Sequence, residues 1–444
     1  MTIEEFARKL RARDVTALEI TNGCLRRIDE LQPSLNAFIC IMADQARRDA
    51  EGADRELASG GDRGPLHGVP IAVKDIIDVR GVPTTAASRV REGHVAAADA
   101  PVIARLREAG AVIIGKTNLD EFAFGTTSEH SAFGAVRHPL DPSRSPGGSS
   151  GGSAVAVASG MALAALGTDT GGSIRIPAAA CGIVGLKPSL DEIPTEGVVP
   201  LSKTFDHVGT FTRTVADARL VHHAMSASRG AVLPRSANAL RLGVPRGYLT
   251  DLLDSDVRAR FDEATAALRN VGAKLTDVSI PHASMTPAVY IHIHASEGAT
   301  FHARTLDAQP ERYTPVVRRR LELGGYVLAQ DYARAMDGRA VLRGEVDAAL
   351  ENCDALLLPA LPIPAPPIGA ETMTIGSREE PVRALMLRLT QLFNVTGHPA
   401  IAIPCGVTSS GLPVGLQLVG HRHQTEALLS QAHVVEQRVR LSLE

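Results

Sequence analysis

Lys74 stands at the end of an apolar run, Val69-Pro70-Ile71-Ala72-Val73. Two serine-bearing glycine runs follow it: Pro146-Gly147-Gly148-Ser149-Ser150-Gly151-Gly152-Ser153 and Gly167-Thr168-Asp169-Thr170-Gly171-Gly172-Ser173-Ile174-Arg175. Glycine lets a backbone turn sharply and aim its N–H groups at a reacting atom. A lysine held away from water can lose its proton and act as a base, and a serine hydroxyl nearby then becomes a nucleophile. These residue types in this order point to acyl transfer.

Other readings of the same residues fail on mechanism. A Ser/Gly linker would lie between separable domains, but run 147–153 sits in the densest apolar region and leads at once into Ala154-Val155-Ala156-Val157-Ala158. The run also fits G-x-S-x-G, centred on Ser149 or on Ser150. A nucleophile elbow needs a strand before it, and Arg144-Ser145-Pro146 is not strand-like. Gly110 to Thr117 formally fits a phosphate loop, yet its interior, Ala111-Val112-Ile113-Ile114, reads as a strand and not as a loop presenting N–H groups.

The elements that must position these residues are legible in outline. Thr2 with Glu5, and Thr16 with Glu19, have capping-box spacing and start two helices; Leu18, Leu25, Ile28 and Leu31 form the apolar stripe of the second. Ala100–Ala109 reads as a helix, Gly110 as its stop and Ala111–Ile114 as a strand. Ala162–Gly167 is a candidate buried strand, though rich enough in alanine to be helical. Val257, Phe261, Ala264, Leu268 and Val271 mark an amphipathic helix ended by Gly272, with a strand at Val278 and Ile280. Ala355–Leu358 reads as a strand running into the proline-rich stretch Pro359 to Pro367, which reads as a rigid loop and not as a linker. The alternation predicts an α/β fold with a parallel or mixed sheet.

Composition narrows the class. The chain has 444 residues, 44% apolar, with a net charge of −3. There is no basic footprint for nucleic acid or a membrane surface. Its five cysteines, Cys24, Cys40, Cys181, Cys353 and Cys405, are scattered singly, which indicates neither a zinc site nor a disulfide framework. The charged start is not a secretory signal, and the longest weakly apolar stretch, 154–167, is too short to span a bilayer. The expectation is a cytoplasmic enzyme with no metal and no organic cofactor.

Taken together, the flank of Lys74, the two glycine runs, Cys181-Gly182-Ile183-Val184-Gly185-Leu186-Lys187-Pro188, Phe393-Asn394-Val395-Thr396-Gly397-His398-Pro399 and Gly411-Leu412-Pro413-Val414-Gly415-Leu416-Gln417 resemble the amidase signature family over most of the chain. The resemblance implies a Ser–cisSer–Lys triad: Ser173 as nucleophile, Ser149 as bridging serine after a cis peptide, Lys74 as base. It implies oxyanion and substrate contacts from the backbone of Thr170, Gly171, Gly172 and Ser173, with Asp169 and Arg175 as supports. To act, Lys74 must be neutral, so burial has to lower its pKa from about 10.4 toward neutrality.

The implied fold is one α/β/α domain with a large mixed sheet over residues 1–444. N-terminal helices occupy 1–60, the signature core with the triad 61–215, and a variable pocket and C-terminal part 216–444. The expected activity is hydrolysis of a small carboxamide through a serine acyl-enzyme, without nucleic acid or membrane, and with a homodimer as the assembly to test. Gly197 to Gly209 resembles the general amidases. The alternative is the A subunit of glutamyl-tRNA(Gln) amidotransferase. That subunit usually continues Lys-Pro-Thr with a Tyr-Gly-Arg-type sequence, where this chain has Lys187-Pro188-Ser189-Leu190-Asp191. The remote alternative is a non-catalytic scaffold of the same fold, which would have lost at least one triad residue. Specificity is expected from the later half, around Tyr290 to His294, Pro359 to Pro367 and Phe393 to His398.

Overall fold

The structure is a computed structural model that describes residues 1–226 and 237–441. The helix Ile3–Arg11 begins at Thr2, whose hydroxyl accepts from the Glu5 N–H. Only the second helix, Ala17–Leu35, has the full reciprocal box: the Glu19 N–H donates to Thr16 and the Thr16 N–H to the Glu19 carboxylate. Both helices bury their apolar stripes and leave the charged faces in water.

Short apolar runs buried on both faces of a sheet supply most of the strands. In chain order they are β1 (Phe38–Ile41), β2 (Pro70–Lys74), β3 (Val112–Thr117), β4 (Ala164–Asp169), β5 (Val184–Lys187), β6 (His207–Thr212), β7 (Arg241–Pro245), β8 (Lys274–Val278) and β9 (Ala355–Pro359). Then come β10 (Thr372–Ile375), β11 (Arg378–Pro381), β12 (Ala400–Val407) and β13 (Pro413–Val419). Eleven of them form one mixed sheet in the order β1-β3-β2-β4-β6-β5-β12-β13-β9-β7-β8, and β10 pairs with β11 as a separate hairpin. The pairings β2/β3, β2/β4, β7/β8 and β7/β9 are parallel. The strands between β4 and β9 pair antiparallel. The fold is therefore mixed α/β with a large helix-covered sheet.

The helix Pro101–Glu108 ends at Gly110 with φ +84°, and β3 follows as expected. The alanine-rich stretch resolves as strand from Ala164 onward, fully buried between β2 and β6. The stretch Pro359 to Pro367 is no linker. Ala360 donates its N–H to Gly415, and the chain docks on the segment before Pro146: the Ser145 N–H donates to Pro366 at 2.9 Å and the Arg144 guanidinium to Ala365 at 2.7 Å.

Candidate active site

The parallel register of β2 and β4 pairs Val73 with Leu166, so both strands end on the same edge of the sheet. Ligands of α/β proteins gather at that carboxyl edge. Lys74 is the last residue of β2. Its side chain is fully buried, and its Nζ lies 2.9 Å from the Ser149 hydroxyl and 2.8 Å from the Thr168 hydroxyl on β4. Burial pushes its pKa down to about 7, against the raising effect of Asp120, Asp169 and Asp206.

Ser149 is brought to the lysine by a tightly packed turn. The Gly148–Ser149 peptide is cis. A Cβ at Gly148 would lie 2.5 Å from the Asp120 carboxylate and 2.7 Å from the Ser128 N–H, so only glycine fits. The Ser128 hydroxyl donates to the Ser149 carbonyl at 3.2 Å and accepts from the Gly151 N–H at 3.0 Å. The helix Gly151–Ala158 then begins. The Ser/Gly run is therefore rigid, because every position in it is buried against a neighbour.

Ser173 sits just before the helix Arg175–Cys181, 6% exposed. Its carbonyl accepts from the Ser150 N–H at 3.3 Å, which ties the two serine loops together. Among the described residues its hydroxyl makes no hydrogen bond. The N–H groups of Gly171, Gly172 and Ser173 likewise donate to no acceptor among the described residues. Gly172 has φ +136°, and a Cβ there would lie 2.2 Å from the Thr390 hydroxyl. The Thr170 side chain is engaged beside them: its hydroxyl donates to Asp206 at 2.6 Å.

Asp169 and Arg175 lie beneath this loop, both fully buried, paired at 2.9 Å. Asp169 also accepts from the Ile174 N–H at 3.1 Å and from the Asn394 amide at 2.7 Å. Arg175 donates to Gln417 and Asn394, each at 2.6 Å, and to the Thr390 carbonyl at 2.9 Å. Burial opposes ionisation of Asp169, but the guanidinium and the Asn394 amide hold its carboxyl well below the usual range. A buried pair with its remaining hydrogen bonds satisfied costs little and fixes geometry. Thr168, Ser128, Thr390, Asn394 and Gln417 carry no local signal of these roles. Asn394 and Gln417 fall in stretches whose resemblance is visible, but their partners lie more than two hundred residues away.

Tyr290, in the helix Thr286–Ala308, closes the other side, stacked on Phe205 and His294. Its hydroxyl lies 2.6 Å from where a Cβ on Gly171 would stand, with the Leu387 side chain at 3.0 Å. Of the three segments expected to shape specificity, this one touches the loop directly. The Phe393 to His398 segment is buried beneath it and braces Asp169.

The family model for Amidase matches residues 19–429. The chain belongs to the amidase family. It is accordingly an enzyme, a hydrolase of carbon–nitrogen bonds, which sets the scaffold alternative aside. The curated relatives include the A subunit of glutamyl-tRNA(Gln) amidotransferase from Geotalea daltonii, 38% identical over 98% of this chain and 97% of the relative. Its counterpart from Anaeromyxobacter sp. (strain K) is 39% identical over 98% and 96%. Among solved amidase-family structures, one described as a crystal structure of amidase superposes with a TM-score of 0.94 at 39% identity, covering 99% of this chain and 100% of that one. The A subunit of the Thermotoga maritima glutamyl-tRNA(Gln) amidotransferase superposes at 0.79 with 33% identity, covering 98% and 94%. Among the described residues no group of three or more His, Cys, Asp and Glu side chains could hold a metal, and no helix is long and apolar enough to cross a membrane.

Proposed function

We propose that this amidase hydrolyses a carboxamide through an acyl-enzyme on Ser173, with Ser149 as proton relay and Lys74 as base. The observation that carries it is the buried contact of Lys74 with Ser149 beside an unengaged Ser173 hydroxyl. Ser173 attacks the amide carbon, and its proton passes through Ser149 to neutral Lys74. The free N–H groups of Gly171, Gly172 and Ser173 receive the developing oxyanion, each such donor contributing roughly 3–4 kcal/mol in the transition state. Lys74 returns the proton through Ser149 to the leaving nitrogen. Water then attacks the acyl-enzyme, giving the acid and regenerating Ser173. Asp169 and Arg175 take no proton; they hold the loop. We further propose that residues 1–60, 61–215 and 216–444 work as one unit, since the sheet runs through all three parts.

Two finer readings divide on the source of the amide. The curated relatives support the amidotransferase reading over a stand-alone amidase acting on a small molecule alone, since they carry that enzyme's name at 37–39% identity across nearly the whole chain. The stand-alone reading draws its support from the closer superposition on the solved amidase. The deciding experiment is ammonia release by the purified chain from a panel of carboxamides that includes glutamine. Turnover of simple carboxamides without any added protein supports a stand-alone enzyme. Hydrolysis of glutamine that needs companion proteins supports the alternative. No turnover of any amide under either condition would remove the proposal.

A further inference from the structure

The register of β4 and β6 sets an aspartate against the oxyanion loop. Asp169 pairs with His207 across these antiparallel strands. One residue beyond each, Thr170 and Asp206 stand side by side, and the Thr170 hydroxyl donates to Asp206 Oδ1 at 2.6 Å. The other oxygen, Oδ2, closes the turn that leads into β6. It accepts from the Leu201 N–H at 2.9 Å and from the Ser202 N–H at 3.1 Å. That turn has a second clasp. Glu297, from the helix Thr286–Ala308, accepts from the Ser202 hydroxyl at 2.6 Å, the Thr204 N–H at 3.1 Å and the Tyr332 hydroxyl at 2.9 Å. A neutral side chain accepting the two N–H groups would serve the turn as well. The charge of Asp206 and its reach to Thr170 need another account.

The charge is held at a cost. Burial raises the Asp206 carboxyl to about 6 despite its three donors, and the like charge of Glu297 adds to this. Among the described residues no cation pairs with it: the Arg339 guanidinium meets this turn at the Thr204 carbonyl, 3.4 Å away. The buried Tyr290 phenol feels Asp206 as well. The cation that its field does reach is Lys74, together with the fields of Asp120 and Asp169. Asp169 is neutralised by contact with Arg175, and Asp120 accepts from the Ser128 and His130 N–H groups. Asp206 is thus an acid without a contacting cation that touches the oxyanion loop and acts through space on the base. Perturbed, costly charges of this kind gather where chemistry needs them.

We propose that Asp206 is a positioning residue of the hydrolysis, fixing the oxyanion loop through Thr170 and lending Lys74 the basicity to take the proton from Ser149. The proposal rests on the acyl-enzyme reading and adds a residue outside the triad. The two effects separate by substitution. Asp206→Asn can still accept from Leu201 and Ser202 and donate to Thr170, so it removes the charge and keeps the shape. Thr170→Val removes the tie to the loop and keeps the carboxylate.

The test reads the lysine and the nucleophile independently. The titration of Lys74 is followed by NMR of protein carrying ¹³C at the lysine Cε, with Lys74→Met giving the assignment. In Asp206→Asn its midpoint should fall by roughly half a pH unit or more, the scale of one nearby charge. The acid limb of Ser173 labelling by a fluorophosphonate probe should move down with it, while the rate above the limb drops because the base is weaker. Thr170→Val should slow labelling above the limb roughly tenfold, since small displacements of an oriented group are costly. Thr170→Ser, which keeps the hydroxyl, should restore it. A Lys74 midpoint unmoved or raised in folded Asp206→Asn overturns the proposal, and so does undiminished labelling in Thr170→Val. An Asp206→Asn chain that does not fold would assign the carboxylate to the turn alone and also sink it. If the midpoint falls as expected but Lys74→Met labels as fast as the intact enzyme, the coupling stands and the acyl-enzyme reading with a lysine base falls.

Discussion

In the proposed mechanism three side chains carry the chemistry, and their predictions are specific. Ser173→Ala should abolish labelling by a fluorophosphonate probe and leave the melting temperature within a degree or two, because the hydroxyl makes no hydrogen bond to lose. Persistent labelling would point to another nucleophile. Lys74 must be neutral to take a proton, and burial brings its pKa to about 7. The kcat/KM profile should therefore fall about tenfold per pH unit below roughly pH 7. A profile flat from pH 5 to 8 would exclude a neutral lysine base. The same shift bears on stability. Between about 7 and the unfolded value near 10.5, the unfolded chain binds the extra proton, so this lysine destabilises the fold at neutral and acid pH, and the penalty fades as pH rises toward 10.5. Lys74→Met should then raise the melting temperature at pH 6 while eliminating turnover, and an unchanged or lower melting temperature would show that the lysine's hydrogen bonds outweigh its burial. These residues are legible in the sequence because the glycine turns and the apolar flank are local features. Thr168 is not: its value lies in facing Lys74 across two parallel strands, a relation that no spacing records.

At the scale of elements, the active loop is held by pieces remote from it. Asn394, from the short helix Gln391–Thr396, donates to the Asp169 carboxylate and backbone and accepts from Arg175. Asn394→Ala would leave a buried ion pair short of partners, at a cost of about 2–4 kcal/mol. It should also slow probe labelling of Ser173, since the loop loses its floor. Urea denaturation and labelling rates check the two effects, and normal stability would remove Asn394 from the brace. Strand ends and helix stops are readable from sequence, as at Lys74 and Gly110, because a buried apolar run or a positive-φ glycine is local. The hairpin β10/β11 escapes such a reading: its strands are mostly exposed, and Thr372, Thr374, Glu379 and Glu380 give no apolar alternation. The long helices Thr286–Ala308 and Ala329–Leu350 escape it too. They pack on several neighbours at once, which blurs the single apolar stripe on which a helical reading depends.

For the whole molecule, the expected outcome of exhaustive dialysis against a chelator is full retention of activity, since the proposed base, relay, nucleophile and oxyanion donors are all protein groups. Strict dependence on an added divalent ion would contradict this. The large mixed sheet is legible in kind but not in order, because antiparallel insertion of β12 and β13 between β5 and β9 joins strands far apart in the chain. That wiring has a consequence for biosynthesis. Ser173 is synthesised long before the side chains that floor its loop: Thr390, Asn394 and Gln417 follow Arg175 by 215, 219 and 242 residues. A chain interrupted before residue 390 thus holds Lys74, Ser149 and Ser173 while the Ser173 loop lacks its floor, and on the proposed mechanism hydrolytic competence arrives only once translation has passed Gln417.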